Sequence, residues 1–140
     1  MPGAKKTSSG SISDSRAKEF GRDCERLAAE HIKKLGYKVI ATNYRTVTGE
    51  IDIVAEDGGT LVFVEVKARR GNAFGAPVLA VNAHKQRQLT RTALSFIANR
   101  RRHGCACRFD VVSVSGSPGG DGGGLEISVM KDAFELSEGY

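Results

Sequence analysis

Two short stretches set charged side chains among β-branched ones: Gly49-Glu50-Ile51-Asp52-Ile53-Val54-Ala55 and Leu61-Val62-Phe63-Val64-Glu65-Val66-Lys67. Between them lies Asp57-Gly58-Gly59-Thr60, which reads as a two-residue hairpin turn centred on the glycines. That register puts Asp52 opposite Glu65 and Glu50 opposite Lys67, and period-two alternation places all four on one face. Directly opposed residues stand about 5 Å apart at Cβ, so two ionised carboxylates there repel by roughly 3 kcal/mol at an effective dielectric of about 20. A divalent cation offsets that repulsion, and Mg²⁺ or Mn²⁺ is the kind that carboxylate oxygens hold. A bound cation acidifies a water, while an ammonium such as that of Lys67 orients it or stabilises charge developing on phosphate. The chemistry implied is metal-assisted phosphodiester hydrolysis. On the plainer reading, Glu50 and Lys67 form a surface ion pair and the two acids face solvent.

The elements that must position these residues follow from periodicity. The first 14 residues, rich in Ser and poor in apolar side chains, read as a disordered tail ahead of a single domain over 15–137. From Arg16, apolar residues from Phe20 to Leu35 recur at helical spacing, and Gly36 supplies the stop. Strands are expected at Tyr37 to Ala41, Glu50 to Glu56 and Thr60 to Ala68, then a loop from Arg70 to Pro77. A second helix runs to about Arg102 on the face of Leu89, Ala93, Phe96 and Ile97, starting either at Asn82 as its cap or one turn earlier. Strands at Arg108 to Ser115 and Leu125 to Met130 flank a glycine-rich hairpin loop, and a short helix is expected at Asp132 to Leu136. The resulting fold class is α/β, a sandwich with a mixed sheet.

The 140 residues suffice for one domain. The composition excludes a coiled coil or a wholly disordered chain, and no apolar run approaches the roughly 20 residues of a membrane span. Three cysteines without framework spacing point to reduced thiols, and with no signal-like start a cytoplasmic protein is expected. Net charge is +5, and its distribution is uneven. Between Val66 and Phe109 lie ten Lys or Arg and no Asp or Glu, leaving −5 on the remainder. Such a block is the footprint of polyanion binding, which makes Arg69, Arg70, Lys85, Arg87, Gln88, Arg91 and the run Arg100 to Arg102 candidate nucleic-acid contacts.

Taken together, Gly49-Glu50-Ile51-Asp52, Val62-Phe63-Val64-Glu65-Val66-Lys67, Lys85 and Arg108-Phe109-Asp110-Val111-Val112 resemble the pattern of the YraN-like family of uncharacterised bacterial proteins, from about Arg16 to Leu136. That family is similar to the restriction-endonuclease-like superfamily, whose motif is P-D followed by D/E-x-K. Archaeal Holliday-junction resolvases and tRNA-splicing endonuclease domains are among its members. The resemblance implies an αβββαβ core and assigns the motif Asp to Asp52, the acidic position to Glu65 and the lysine to Lys67, with Ile51 where the motif has Pro. It further implies a metal-ligating Glu on the first helix, a place held by Glu25, with Glu50 in support. The expected function is a Mg²⁺- or Mn²⁺-dependent endonuclease acting on DNA, branched DNA included, ahead of RNA, with its sequence or structure preference open. The alternative is a non-catalytic nucleic-acid binding module that keeps the fold. No membrane partner is expected, and a homodimer is one oligomeric state open to the chain.

Overall fold

The computed structural model describes residues 3–69, 81–116 and 124–135, with side chains from residue 15 onward in the first helix. The chain runs α1 (Gly3–Lys34), β1 (Lys38–Thr46), β2 (Gly49–Asp57), β3 (Thr60–Arg69), α2 (Ala83–Asn99), β4 (Cys107–Gly116) and β5 (Leu125–Phe134). The five strands form one sheet in the order β1-β2-β3-β4-β5, with β3 and β4 parallel and every other pair antiparallel. A parallel pair needs a crossover connection, and α2 lies within it.

Alternation along β3 sets up two cores. Val62 and Val64 pack with Cys24, Ala28 and Ile32 of α1, whereas Leu61 and Phe63 pack with Leu89, Ala93 and Phe96 of α2. The helices therefore cover opposite faces of an α/β sheet, as the order of elements requires. α1 ends in a Schellman arrangement: Gly36 adopts φ 102°, its N–H reaches the Lys33 carbonyl, and the Tyr37 N–H reaches that of Ile32. Tyr37 and Ile32 then join the same core. Asn82 caps α2 as expected, its side chain accepting from the Lys85 N–H at 2.9 Å.

Three boundaries differ from the sequence reading. The α1 backbone begins at Gly3 rather than Arg16, through the segment expected as a tail, because apolar periodicity marks only the turns that have a sheet to pack on. β1 continues past Ala41 to Thr46, since Asn43 takes a left-handed φ of 51° that re-aims the strand without ending it. No short helix opens at Asp132: β5 extends to Phe134, where Phe134 pairs with Phe109 and stacks on its ring at 4.7 Å. The expected loops, 70–77 and much of the glycine-rich 116–124, lie outside the described residues. None of the described helices is long and apolar enough to cross a membrane. Cys24, Cys105 and Cys107 are not joined in disulfides.

Candidate active site

The β2–β3 hairpin turns at Gly58, φ 63°, and its register runs from Asp57↔Thr60 to Ile53↔Val64. This is the expected register, but the backbone ladder stops one pair short of Asp52 and Glu65. Instead, the Asp52 carboxylate accepts the Val66 N–H at 2.8 Å. Alternation also breaks here, because Ile53 packs in the α1 core while Ile51, two residues earlier, packs in the α2 core. The four charged side chains consequently do not share one flat face. Asp52 opens toward α1, beside a cavity of about 350 Å³ that Glu25 and Asn43 also line. Glu65, by its alternation with Phe63, turns toward α2.

The two carboxyls nonetheless act on each other across the bend, the charge of Glu65 being the largest influence on Asp52 after burial. Glu65 is only 6% exposed and faces two ammonium groups, Lys67 at 3.3 Å and Lys85 of α2 at 3.6 Å. The expected Glu50–Lys67 pair does not form. Once β2 and β3 part, the near neighbour of Glu50 lies across β1, and it pairs with Arg45. Glu25 approaches the site from α1, with its carboxylate accepting the Asn43 side-chain N–H at 3.1 Å. Among the described residues no group of three or more His, Cys, Asp or Glu converges as a metal-ligand set. The donor chemistry is that of a carboxyl pair, which suits a hard cation such as Mg²⁺ that keeps several waters and takes one or two carboxylates from a protein.

Burial first, then the charge of Glu65, push the Asp52 carboxyl up to about 8; the Val66 N–H pulls it down, and Glu25 raises it further. Its folded pKa thus lies above the unfolded value of about 3.9. Between roughly pH 4 and 8 the folded chain holds a proton that the unfolded chain has lost, so this group makes stability fall as pH rises. In EDTA, Asp52→Asn should gain about 1–3 kcal/mol on the wild type between about pH 5 and 8, read by urea unfolding. Parallel pH profiles for the two proteins would mean that Asp52 is ionised in the folded state.

The remaining candidates are scattered. Arg69 sits at the end of β3 with its Nε buried and without a hydrogen-bond partner among the described residues, and Arg70 lies outside them. Gln88 packs with Thr92 against Gly49 at the β1–β2 turn. Arg87 and Arg91 are exposed, on the side of α2 away from its buried face, and are not brought to the carboxyls. At the far end of α2, Arg102 pairs with Glu56 at 2.8 Å and Arg100 lies over the Phe96 ring. Asp110 is a structural partner of Arg108. Of the ten positive charges in the basic segment, Lys67, Lys85, Arg102 and Arg108 therefore answer acids of this chain. Asn43, the partner of Glu25, belongs to no motif that singles it out in the sequence. Its tolerance of left-handed φ was the available signal.

Comparison with known proteins places this arrangement. The profile of the uncharacterised protein family UPF0102 matches residues 24–114, a span that contains Glu25, Asp52, Glu65, Lys67 and Lys85. A UPF0102 protein of Symbiobacterium thermophilum is 47% identical over 118 residues, covering 84% of this chain and 98% of its own. One from Syntrophus aciditrophicus is 44% identical over 119 residues, covering 85% and 91%. Another, from Geotalea daltonii, is 44% identical over 120 residues, covering 86% and 92%. A match of this extent, over the hairpin and both helices alike, means that the chain belongs to the UPF0102 family, the YraN-like proteins it resembles.

Proposed function

We propose that this chain is a restriction-endonuclease-like, Mg²⁺- or Mn²⁺-dependent nuclease that hydrolyses phosphodiester bonds in DNA. The observation that carries the reading is the buried Asp52–Glu65 carboxyl pair faced by two lysines, an arrangement that costs stability unless a cation joins it. Asp52 and Glu65 would hold the cation, which when bound supplies Lewis acidity toward water and phosphate. Val66 fixes Asp52 through its N–H, and Lys85 holds Glu65 from α2, so both carboxyls are oriented before substrate arrives. Lys67, which pairs with Glu65 at 3.3 Å, would be placed to orient the attacking water or to stabilise charge on the phosphate. The orphan N–H of Arg69, two residues further on, offers a donor to a neighbouring phosphate. Glu25, which lines the same cavity as Asp52, would be a further ligand.

The test is cleavage of single-stranded, duplex and branched DNA and of structured RNA with Mg²⁺, with Mn²⁺ and with EDTA. Metal-dependent cleavage of DNA is expected; tight binding with no cleavage of any substrate would make the protein a binding module. Within the active enzyme, Lys67→Ala should lower single-turnover cleavage by about tenfold or more with little change in DNA affinity, as for a group that acts in the transition state. If affinity fell and the rate of bound substrate did not, Lys67 would be a phosphate contact only.

A further inference from the structure

Along one side of α1, Lys18, Gly21, Arg22, Glu25 and Ala29 recur at three- and four-residue intervals and line two adjoining cavities. The inner one, about 350 Å³, ends at Thr42, Asp52 and Ile53. The outer one, about 420 Å³, reaches Lys18 and the Arg45–Glu50 ion pair. Arg22, Glu25 and Asn43 line both, so the two form one trough that leads away from the carboxyl pair on the side opposite Lys67 and Lys85.

Three features suit this trough to an unpaired strand. Lys18 and Arg22 are exposed and have no ion-pair partner among the described residues, unlike the lysines that face Glu65. They lie outside the basic block of the sequence, so the charge that flanks the trough is separate from it. Each cavity is near the lower end of the range of about 300–1,000 Å³ for small-ligand sites, room for a base or a sugar-phosphate but not for stacked base pairs. The third feature is Gly21. A glycine inside a helix is destabilising relative to alanine, yet a Cβ at this position would meet no atom of the described residues within 4 Å, its chain neighbours and the helix's own backbone aside. Packing within the chain does not call for glycine there; close approach of a ligand to the helix backbone does.

We propose that the trough seats the unpaired flank of a DNA strand, with its phosphates on Lys18 and Arg22 and a base against Ala29, Thr42 and Ile53. This deepens the nuclease reading and rests on it: the substrate class becomes DNA with a single-stranded segment next to the scissile bond. The test is fluorescence anisotropy in EDTA with a single-stranded oligonucleotide of about 12 nucleotides and a blunt duplex of the same sequence. The wild type should prefer the single strand by about fivefold or more, a margin that base contact supports. Gly21→Leu should erase that preference and leave duplex affinity within about twofold. Gly21→Ala, the milder change, should raise the melting temperature by about 2–4 °C, because the helix gains and the fold loses no contact. A lowered melting temperature would mean that the glycine serves the fold and would overturn the proposal. Equal affinity for both substrates in a protein that cleaves DNA with Mg²⁺ would overturn the trough and spare the active site. A single-strand preference that Gly21→Leu erases, in a protein that cleaves nothing, would support the trough and overturn the active site.

Discussion

Asp52→Asn is expected to lower metal-dependent DNA cleavage by about a thousandfold or more while leaving DNA affinity in EDTA undiminished. Asparagine keeps the shape of the side chain and an oxygen for the Val66 N–H, so the bend of β2 survives. What it removes is one of the two acids that would hold a cation. Below about pH 8 Asp52 carries its proton in the metal-free protein, so a polyanion approaching the same cleft meets nearly the same charge in the variant and its affinity is kept. The expected separation, with cleavage lost and binding kept, is what distinguishes a metal ligand from a substrate contact. Wild-type cleavage by this variant would remove Asp52 from the site.

The largest effect on folding is expected at the other end of the sheet. Asp110 on β4 has no exposure to solvent and accepts from Tyr37 Oη at 2.7 Å, from Arg108 Nε at 2.9 Å and from the Asp132 N–H at 2.9 Å. Arg108 spans on to Asp57 at 2.7 Å and lies over the Tyr37 ring. Hydrogen bonds to these acids hold the Arg108 guanidinium above its usual range, and burial raises the Tyr37 hydroxyl. Asp110→Ala leaves a guanidinium, a phenol and a backbone N–H without their shared acceptor, and should cost about 3–5 kcal/mol in urea unfolding. A loss under about 1 kcal/mol would mean that water replaces the carboxylate and that the network is not closed.

Element order and core were legible because they are repetitive. Val62, Phe63 and Val64 announce a strand buried on both faces, and Leu89, Ala93 and Phe96 announce one helical stripe. The Gly58-Gly59 turn conveyed the hairpin register correctly as far as Ile53↔Val64. What the pattern did not hold was the departure from regularity at Asp52, where the strand bends and a carboxylate takes a backbone N–H in place of the ladder. Period-two reasoning assumes a straight strand, so it sent Glu50 to Lys67 when the bend sends it to Arg45. Charge along the sequence carries no orientation, for a related reason. A basic block in sequence becomes a basic surface only if its members point outward, and Lys67, Lys85, Arg102 and Arg108 point at acids. The exposed cations beside the candidate site, Lys18 and Arg22, come instead from α1, whose mixed charge gave no such signal.

The central claim is that Asp52 and Glu65 form a divalent-cation site whose acids are crowded until the cation arrives. Calorimetric titration of Mn²⁺ at about pH 7, repeated in buffers of different ionisation enthalpy, tests it most directly, because it counts the protons displaced with the ion. With Asp52 pushed up to about 8, the account predicts that binding of Mn²⁺ releases close to one proton per ion, and that Asp52→Asn and Glu65→Gln each abolish both the binding and the release. Binding of equal affinity in Asp52→Asn, or binding to the wild type without proton release, would contradict it.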